Sequence, residues 1–188
     1  MKRPLLVGLS ALTLLIFAQL PTNAVEQKRG GMIHEPVVER VVIGLEEFQL
    51  LAYDERGRLL FHFPVTIGAD TGPTPTGHFK ITSRLRHPWY TPEDEETLRP
   101  GHPENPLGSR WLGINKPHYG LHGTNEPETI RTKDSEGCVR LRNRDIEKLY
   151  RHLPRGADVI IKRRLDLKRE NLRTVKHKPE SQEENQGG

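Results

Sequence analysis

The chain has 188 residues, 34% of them hydrophobic and 29% charged, with a formal net charge of +4 and a pI of about 9.3. That length suits one domain with extensions, and so polar a chain forms a core of moderate size only if its ends stand outside it. The basic balance favours anionic surroundings, whether nucleic acid, phospholipid or an anionic wall polymer, and equally describes a plain solvated surface.

Lys2 and Arg3 precede an apolar run from Pro4 to Leu20, interrupted by the polar residues Ser10, Thr13 and Gln19. Thr22-Asn23-Ala24 then places small residues where a signal peptidase reads them. The expectation is a secretory signal peptide over 1–24, cleaved after Ala24. The run falls short of the ~20 apolar residues of a comfortable membrane span, though an uncleaved anchor is the alternative. Export to a periplasm or cell wall leaves nucleic acid out of the expected partners. It also gives the single cysteine, Cys138, a meaning. A lone thiol in an exported chain has no internal disulfide partner and is reactive, intermolecular or simply buried.

Residues 25–36 are polar, contain Gly30-Gly31, and read as a linker. Val37 to Leu45 alternates Val37, Glu39, Val41, Ile43 and Leu45 against Val38, Arg40 and Val42. Apolar β-branched residues on both faces predict a strand covered on both sides. Phe48 to Tyr53 predicts a second strand and Asp54-Glu55-Arg56-Gly57 a turn with Gly57 at positive φ. Leu59 to Ile67 is the hairpin partner, with His62 on the face away from the aromatics and expected at the surface. Gly68 to Gly77 is loop, and His78 to Thr82 resumes a strand. Arg84 to Pro106 is too long for a plain connection and predicts a lid, a binding loop or a disordered insertion, with Trp89 and Tyr90 as a cleft wall. Arg110 to Ile114 and Tyr119 to Gly123 are further strands. Asn143 is the expected N-cap of a helix whose first turn holds Asp145 and Glu147. Ile146, Leu149, Tyr150 and Leu153 form its apolar stripe, and Pro154 stops it. Asp158 to Ile161 is the last strand. The rest, 163–188, is a polar tail expected to be disordered. The sum is a mainly β sandwich or barrel over 37–162, with one short helix after Cys138.

A thiol attacks a carbonyl as thiolate, and a histidine, a cation or a helix N-terminus lowers its ordinary pKa of ~8.5. Arg140 and Arg142 follow Cys138 at once, and His122 lies sixteen positions before it. That gap lets two neighbouring strands bring imidazole to thiol, with His122 as base and later as acid. The amides of Gly137 and Cys138 would then form an oxyanion hole. The same spacing fits a buried structural cysteine and a surface histidine, and the residues alone leave both readings open. His118 and His122 are i, i+4, a spacing that holds metal on a helix, but Pro117 and Gly120 oppose a helix. No metal and no cofactor are expected.

Tyr119-Gly120-Leu121-His122-Gly123-Thr124 followed by Ser135-Glu136-Gly137-Cys138-Val139-Arg140-Leu141 resembles the L,D-transpeptidase catalytic domain, the YkuD domain. Thr74-Pro75-Thr76-Gly77, Asn105-Pro106-Leu107-Gly108 with Arg110-Trp111-Leu112-Gly113-Ile114, and the helix after Arg142-Asn143 match the family in order. The resemblance covers about residues 38 to 162. It implies an exported β-sandwich-like enzyme acting on peptidoglycan stem peptides. Cys138 corresponds to the nucleophile and His122 to its base. Gly137, Ser135, Tyr119, Gly123 and Arg140 occupy oxyanion or site-supporting positions. The implied reaction removes the terminal D-Ala of a stem tetrapeptide and passes the acyl group to an amine, forming a cross-link. Two alternatives stand beside it: an L,D-carboxypeptidase with water as acceptor, and a non-catalytic wall-binding domain. Many members carry His where this chain has Glu136, a carboxylate that opposes thiolate formation unless Arg140, Arg142 or Lys133 offsets it. The basic surface adds contact with anionic wall polymers or a membrane surface as a further expectation; the oligomeric state is open.

Overall fold

The computed structural model describes residues 35–92 and 96–166, which fall within the compact unit His34–Gly188. The expected signal peptide, most of the linker and most of the polar tail lie outside the described residues. The strands in chain order are β1 Arg40–Gly44, β2 Gln49–Tyr53, β3 Leu59–Pro64, β4 Ile67–Gly68, β5 Gly77–Arg86, β6 Arg110–Ile114, β7 Gly120–His122, β8 Lys133–Ser135, β9 Val139–Arg140 and β10 Asp158–Lys162, with helix α1, Asn143–His152, between the last two.

Eight strands form one sheet in the order β3-β2-β1-β10-β5-β6-β7-β9, and β4 pairs with β8 in a two-stranded sheet. The β2–β3 turn follows its sequence: Asp54 Oδ1 accepts from the amides of Arg56 (3.0 Å) and Arg58 (2.8 Å), and Gly57 sits at φ 73°. The large sheet curls far enough for the segment leaving β3 to meet β9. Thr66 and Arg140 exchange amide-to-carbonyl bonds, both 3.0 Å. β10, the last strand, lies inside the sheet, parallel to β1 and antiparallel to β5.

Alternation fixes the two faces. Val41, Ile43, Leu50, Ala52, Ile81, Leu112, Leu121, Val139, Val159 and Ile161 point into the main core. Ile146, Leu149 and Leu153 close that core from α1, as the helical stripe predicts, and Tyr150 packs against it half-buried. The other face of β1 and β2 is covered too: Val42, Leu51 and Tyr53 pack with Leu165. The expectation of a doubly covered first strand therefore holds, although the strand begins at Arg40 and Val37 is exposed.

Four other boundaries differ. The strand expected over Leu59 to Ile67 is cut after Pro64, and β4 leaves to pair with β8 in parallel. β5 runs on to Arg86, so the long loop starts at His87. That loop is built around the buried Asn105, whose Nδ2 donates to the carbonyls of Pro88 (3.1 Å) and Arg99 (3.2 Å) and whose Oδ1 accepts from Leu107 N (3.0 Å). Asn143 is not the N-cap; Arg142 holds that position and makes no side-chain cap bond. Packing also continues past Ile161, through Leu165.

Candidate active site

The site stands on the face of β6, β7 and β9 that turns away from the main core. Leu112, Leu121 and Val139 are paired across these strands and buried, so the alternate residues Trp111, Gly120, His122 and Arg140 share the opposite face. β7 and β9 run parallel with His122 opposite Arg140. One step back in that register sets Cys138 beside Gly120, and the Gly120 backbone amide does act on the Cys138 thiol. Cys138 directly precedes β9, so the extended register sets the thiol two residues along from the imidazole.

His122 is 3% exposed. Its Nδ1 lies 2.7 Å from the carbonyl of Gly123. A carbonyl only accepts, so Nδ1 carries the proton and the neutral ring keeps its lone pair on Nε2. Burial pulls the imidazole pKa down to about 4, with the Arg140 charge adding to the drop and the backbone carbonyls of Gly123 and Pro106 opposing it. Cys138 is half-buried, and its thiol donates to the His118 carbonyl at 3.5 Å. Burial pushes that thiol above its ordinary pKa, the Gly120 amide and the Arg140 charge pull it back, and Glu136 adds to the rise. The net direction reverses the expectation that neighbouring cations depress it. Of the cations expected to offset Glu136, Arg140 acts on the thiol, while the Lys133 ammonium pairs with Asp70 at 3.1 Å. At neutral pH the two groups therefore rest as thiol and neutral imidazole.

The remaining expected residues surround this pair. Ser135, buried, donates from Oγ to the Cys138 carbonyl (2.6 Å) and accepts from Gly137 N (3.2 Å). Of the two amides expected to receive an oxyanion, that of Gly137 is thus already engaged within the turn. Gly137 holds φ 112°, and a Cβ there would come within 2.7 Å of the Tyr119 ring. Only glycine fits. Arg140 reaches Asp134 (3.5 Å) and Glu126 (3.6 Å) across the edge of the site. A Cβ on Gly123 would fall 2.1 Å from Asn143 Oδ1.

Two neighbours escaped sequence reasoning. Asn143 accepts at Oδ1 from the amides of Ser109 (3.0 Å) and Thr124 (3.2 Å) and donates from Nδ2 to the Thr124 carbonyl (2.9 Å). It ties the start of α1 to the strand that carries His122. Trp111 stacks on His122, with centroids 5.7 Å apart and planes 22° apart. Its place opposite His122 follows from β6–β7 register, which a single sequence does not print.

The family model of the L,D-transpeptidase catalytic domain (YkuD) matches residues 39–161. The chain is 36% identical over 122 residues to "Putative L,D-transpeptidase YkuD" of Bacillus licheniformis, covering 65% of this chain and 64% of that protein. It is 31% identical over 141 residues to "Probable L,D-transpeptidase YbiS" of Escherichia coli, covering 68% of this chain and 46% of that one. The chain thus spans about half to two thirds of the length of these relatives. Among solved structures, L,D-transpeptidase 3 from Mycobacterium tuberculosis with a faropenem-derived adduct shares the fold at TM-score 0.55 and 18% identity, covering 68% of this chain and 60% of that one. With the match extending over more than half of its length, the chain belongs to the L,D-transpeptidase catalytic domain family.

Proposed function

We propose that this protein is a cysteine-dependent L,D-transpeptidase of peptidoglycan. The observation that carries the reading is the neutral, buried His122, its Nδ1 proton committed to Gly123 O and its lone pair on Nε2, on the strand that adjoins the residue just after Cys138. The substrate is the carbonyl joining the third residue of a stem tetrapeptide to its terminal D-Ala. Cys138 Sγ bonds to that carbon as Nε2 of His122 takes the thiol proton, so no thiolate need persist beforehand. The oxyanion is received by the Cys138 amide, because Ser135 occupies the Gly137 amide. Collapse breaks the amide bond, D-Ala leaves with the proton from His122, and a thioester remains on Cys138. An amine acceptor then attacks the thioester, gives its proton to His122, and releases the cross-linked product and the thiol.

Ser135 holds the turn of the nucleophile, and Arg140 moderates the charge of both reacting groups. The apolar N-terminal run and Thr22-Asn23-Ala24 support export to the periplasm or cell wall, which N-terminal sequencing of the secreted protein checks. The reaction is tested by incubating the protein with purified tetrapeptide muropeptides and weighing the products. Cross-linked dimers are expected. Tripeptides alone would make water the acceptor and the enzyme an L,D-carboxypeptidase, and unchanged substrate would overturn both readings.

A further inference from the structure

A row of side chains crosses the curled sheet in register: Leu85 of β5 faces Trp111, Trp111 faces His122, and His122 faces Arg140. The adjoining row is nearly bare. It consists of Ser83, Gly113 and Gly120, and the register extended by one step ends it at Cys138. Glycine weakens a strand interior and marks the close approach of another group. Here the approaching groups are the Trp111 indole at both glycines, with Ser83 Oγ 2.3 Å from a Cβ on Gly113 and the Leu112 carbonyl 2.7 Å from one on Gly120. A Cβ on Gly113 would come within 2.8 Å of Trp111 Nε1, and one on Gly120 within 2.8 Å of Cζ2 and 2.9 Å of Cη2. Neither glycine has positive φ. Room for the ring and for these two neighbours, not backbone freedom, is what glycine supplies at these two places. The half-buried indole therefore reaches from the row of the base toward the row of the nucleophile while stacking on the imidazole.

We propose that Trp111 is a positioning residue, whose indole, seated on Gly113 and Gly120, fixes the plane of the His122 imidazole relative to Cys138 and keeps water from Nε2. This rests on the reading of His122 and Cys138 as base and nucleophile. Nδ1 bonds to Gly123 O, and the Pro106 carbonyl also acts on the ring. In-plane bonds to carbonyls leave the ring able to tilt out of its plane, and flat contact with an indole removes the tilt. Small errors in such an alignment cost about 10²-fold in rate. The charged side chain facing the imidazole is Arg140 on β9, which repels a proton on the ring whether or not the indole is present.

Acylation of Cys138 by a carbapenem such as imipenem, followed by intact mass against time, gives the readout. Trp111→Ala should lower the limiting acylation rate about 10²-fold with little change in half-saturating concentration, and Trp111→Phe should restore most of it. Gly120→Ala keeps the indole but sets a methyl against both it and the Leu112 carbonyl, and should lower the rate about tenfold. A purely structural role would not move the titration of His122. By NMR that titration should rise in Trp111→Ala from about 4 toward the ordinary ~6.5 as water reaches the ring. Acylation of a folded Trp111→Ala within twofold of wild type, or a rate loss with the His122 titration unchanged, overturns the proposal. If Trp111→Ala does not fold, Trp111→Phe and Gly120→Ala carry the same comparison. A wild-type protein that is not acylated would fail the reading beneath the proposal, and the proposal falls with it.

Discussion

At the residue scale, the chemistry is governed by two opposed departures from ordinary acidity. His122 releases its proton far more readily than a free imidazole, and Cys138 holds its proton more tightly than a free thiol. An ion pair at rest is therefore disfavoured, and in the proposed reaction proton transfer coincides with bond formation. The same burial gives a stability signature. An unfolded histidine takes up a proton below ~6.5, whereas folded His122 stays neutral down to about 4. The unfolded state binds more protons in that window, so stability falls as pH drops from ~6.5 to about 4 and is flat for this group below it. The loss is roughly 3 kcal/mol. Urea midpoints at pH 7 and pH 4 should show it in the wild type and much less of it in His122→Gln. Glu136 acts on the thiol from an exposed position, so Glu136→Gln should move the pH profile of iodoacetamide alkylation downward, speeding reaction at neutral pH by at most about threefold. An unmoved profile would remove Glu136 from the electrostatics of the site. Spacing alone left Cys138 and His122 open as a pair in the chain, and only their place in the family's motif assigned them roles. Trp111 was not, because its role depends on which residue lies opposite it across a ladder.

At the element scale, Asn143 shows how a local rule gives way to a tertiary demand. Its position ahead of an amphipathic stretch reads as a helix cap. The folded chain instead places it one residue inside α1 and uses both ends of its amide to join the loop at Ser109 to the strand end at Thr124. Gly123 is the residue this clamp closes on. Asn143→Ala should therefore cost about 1–2 kcal/mol, moderated by the exposure of the side chain, and slow acylation of Cys138 as well. Asn143→Asp keeps the acceptor and loses the donor, and should fall between. A normal acylation rate in Asn143→Ala at full occupancy of the fold would confine the clamp to stability. The long strands and the helix were readable from alternation and the 3.6-residue stripe. β4, β8 and β9 were not, since two or three residues are too few to show a period and their partners are parallel and remote in sequence.

At the scale of the whole molecule, closure comes from features that no periodicity announces. The Thr66–Arg140 bond pair joins opposite ends of the sheet, and Leu165 seals the second face over Val42, Leu51 and Tyr53. Leu165 lies in a stretch whose composition reads as tail, yet it is 4% exposed, and a Cβ on Gly44 would come within 2.4 Å of it. Leu165→Ala should lower stability by about 2–3 kcal/mol, read as a reduced urea midpoint, whereas an unchanged midpoint would return this segment to the tail. The interior place of β10 reaches further. β1 and β5 both wait for β10, the last strand among the described residues, so the residues that precede Asp158 hold two open edges and cannot complete the sheet among themselves. A chain emerging from a ribosome cannot close this sheet until β10 is free. Its native state is then reached by slow long-range pairing, with exposed β edges as the hazard along the way.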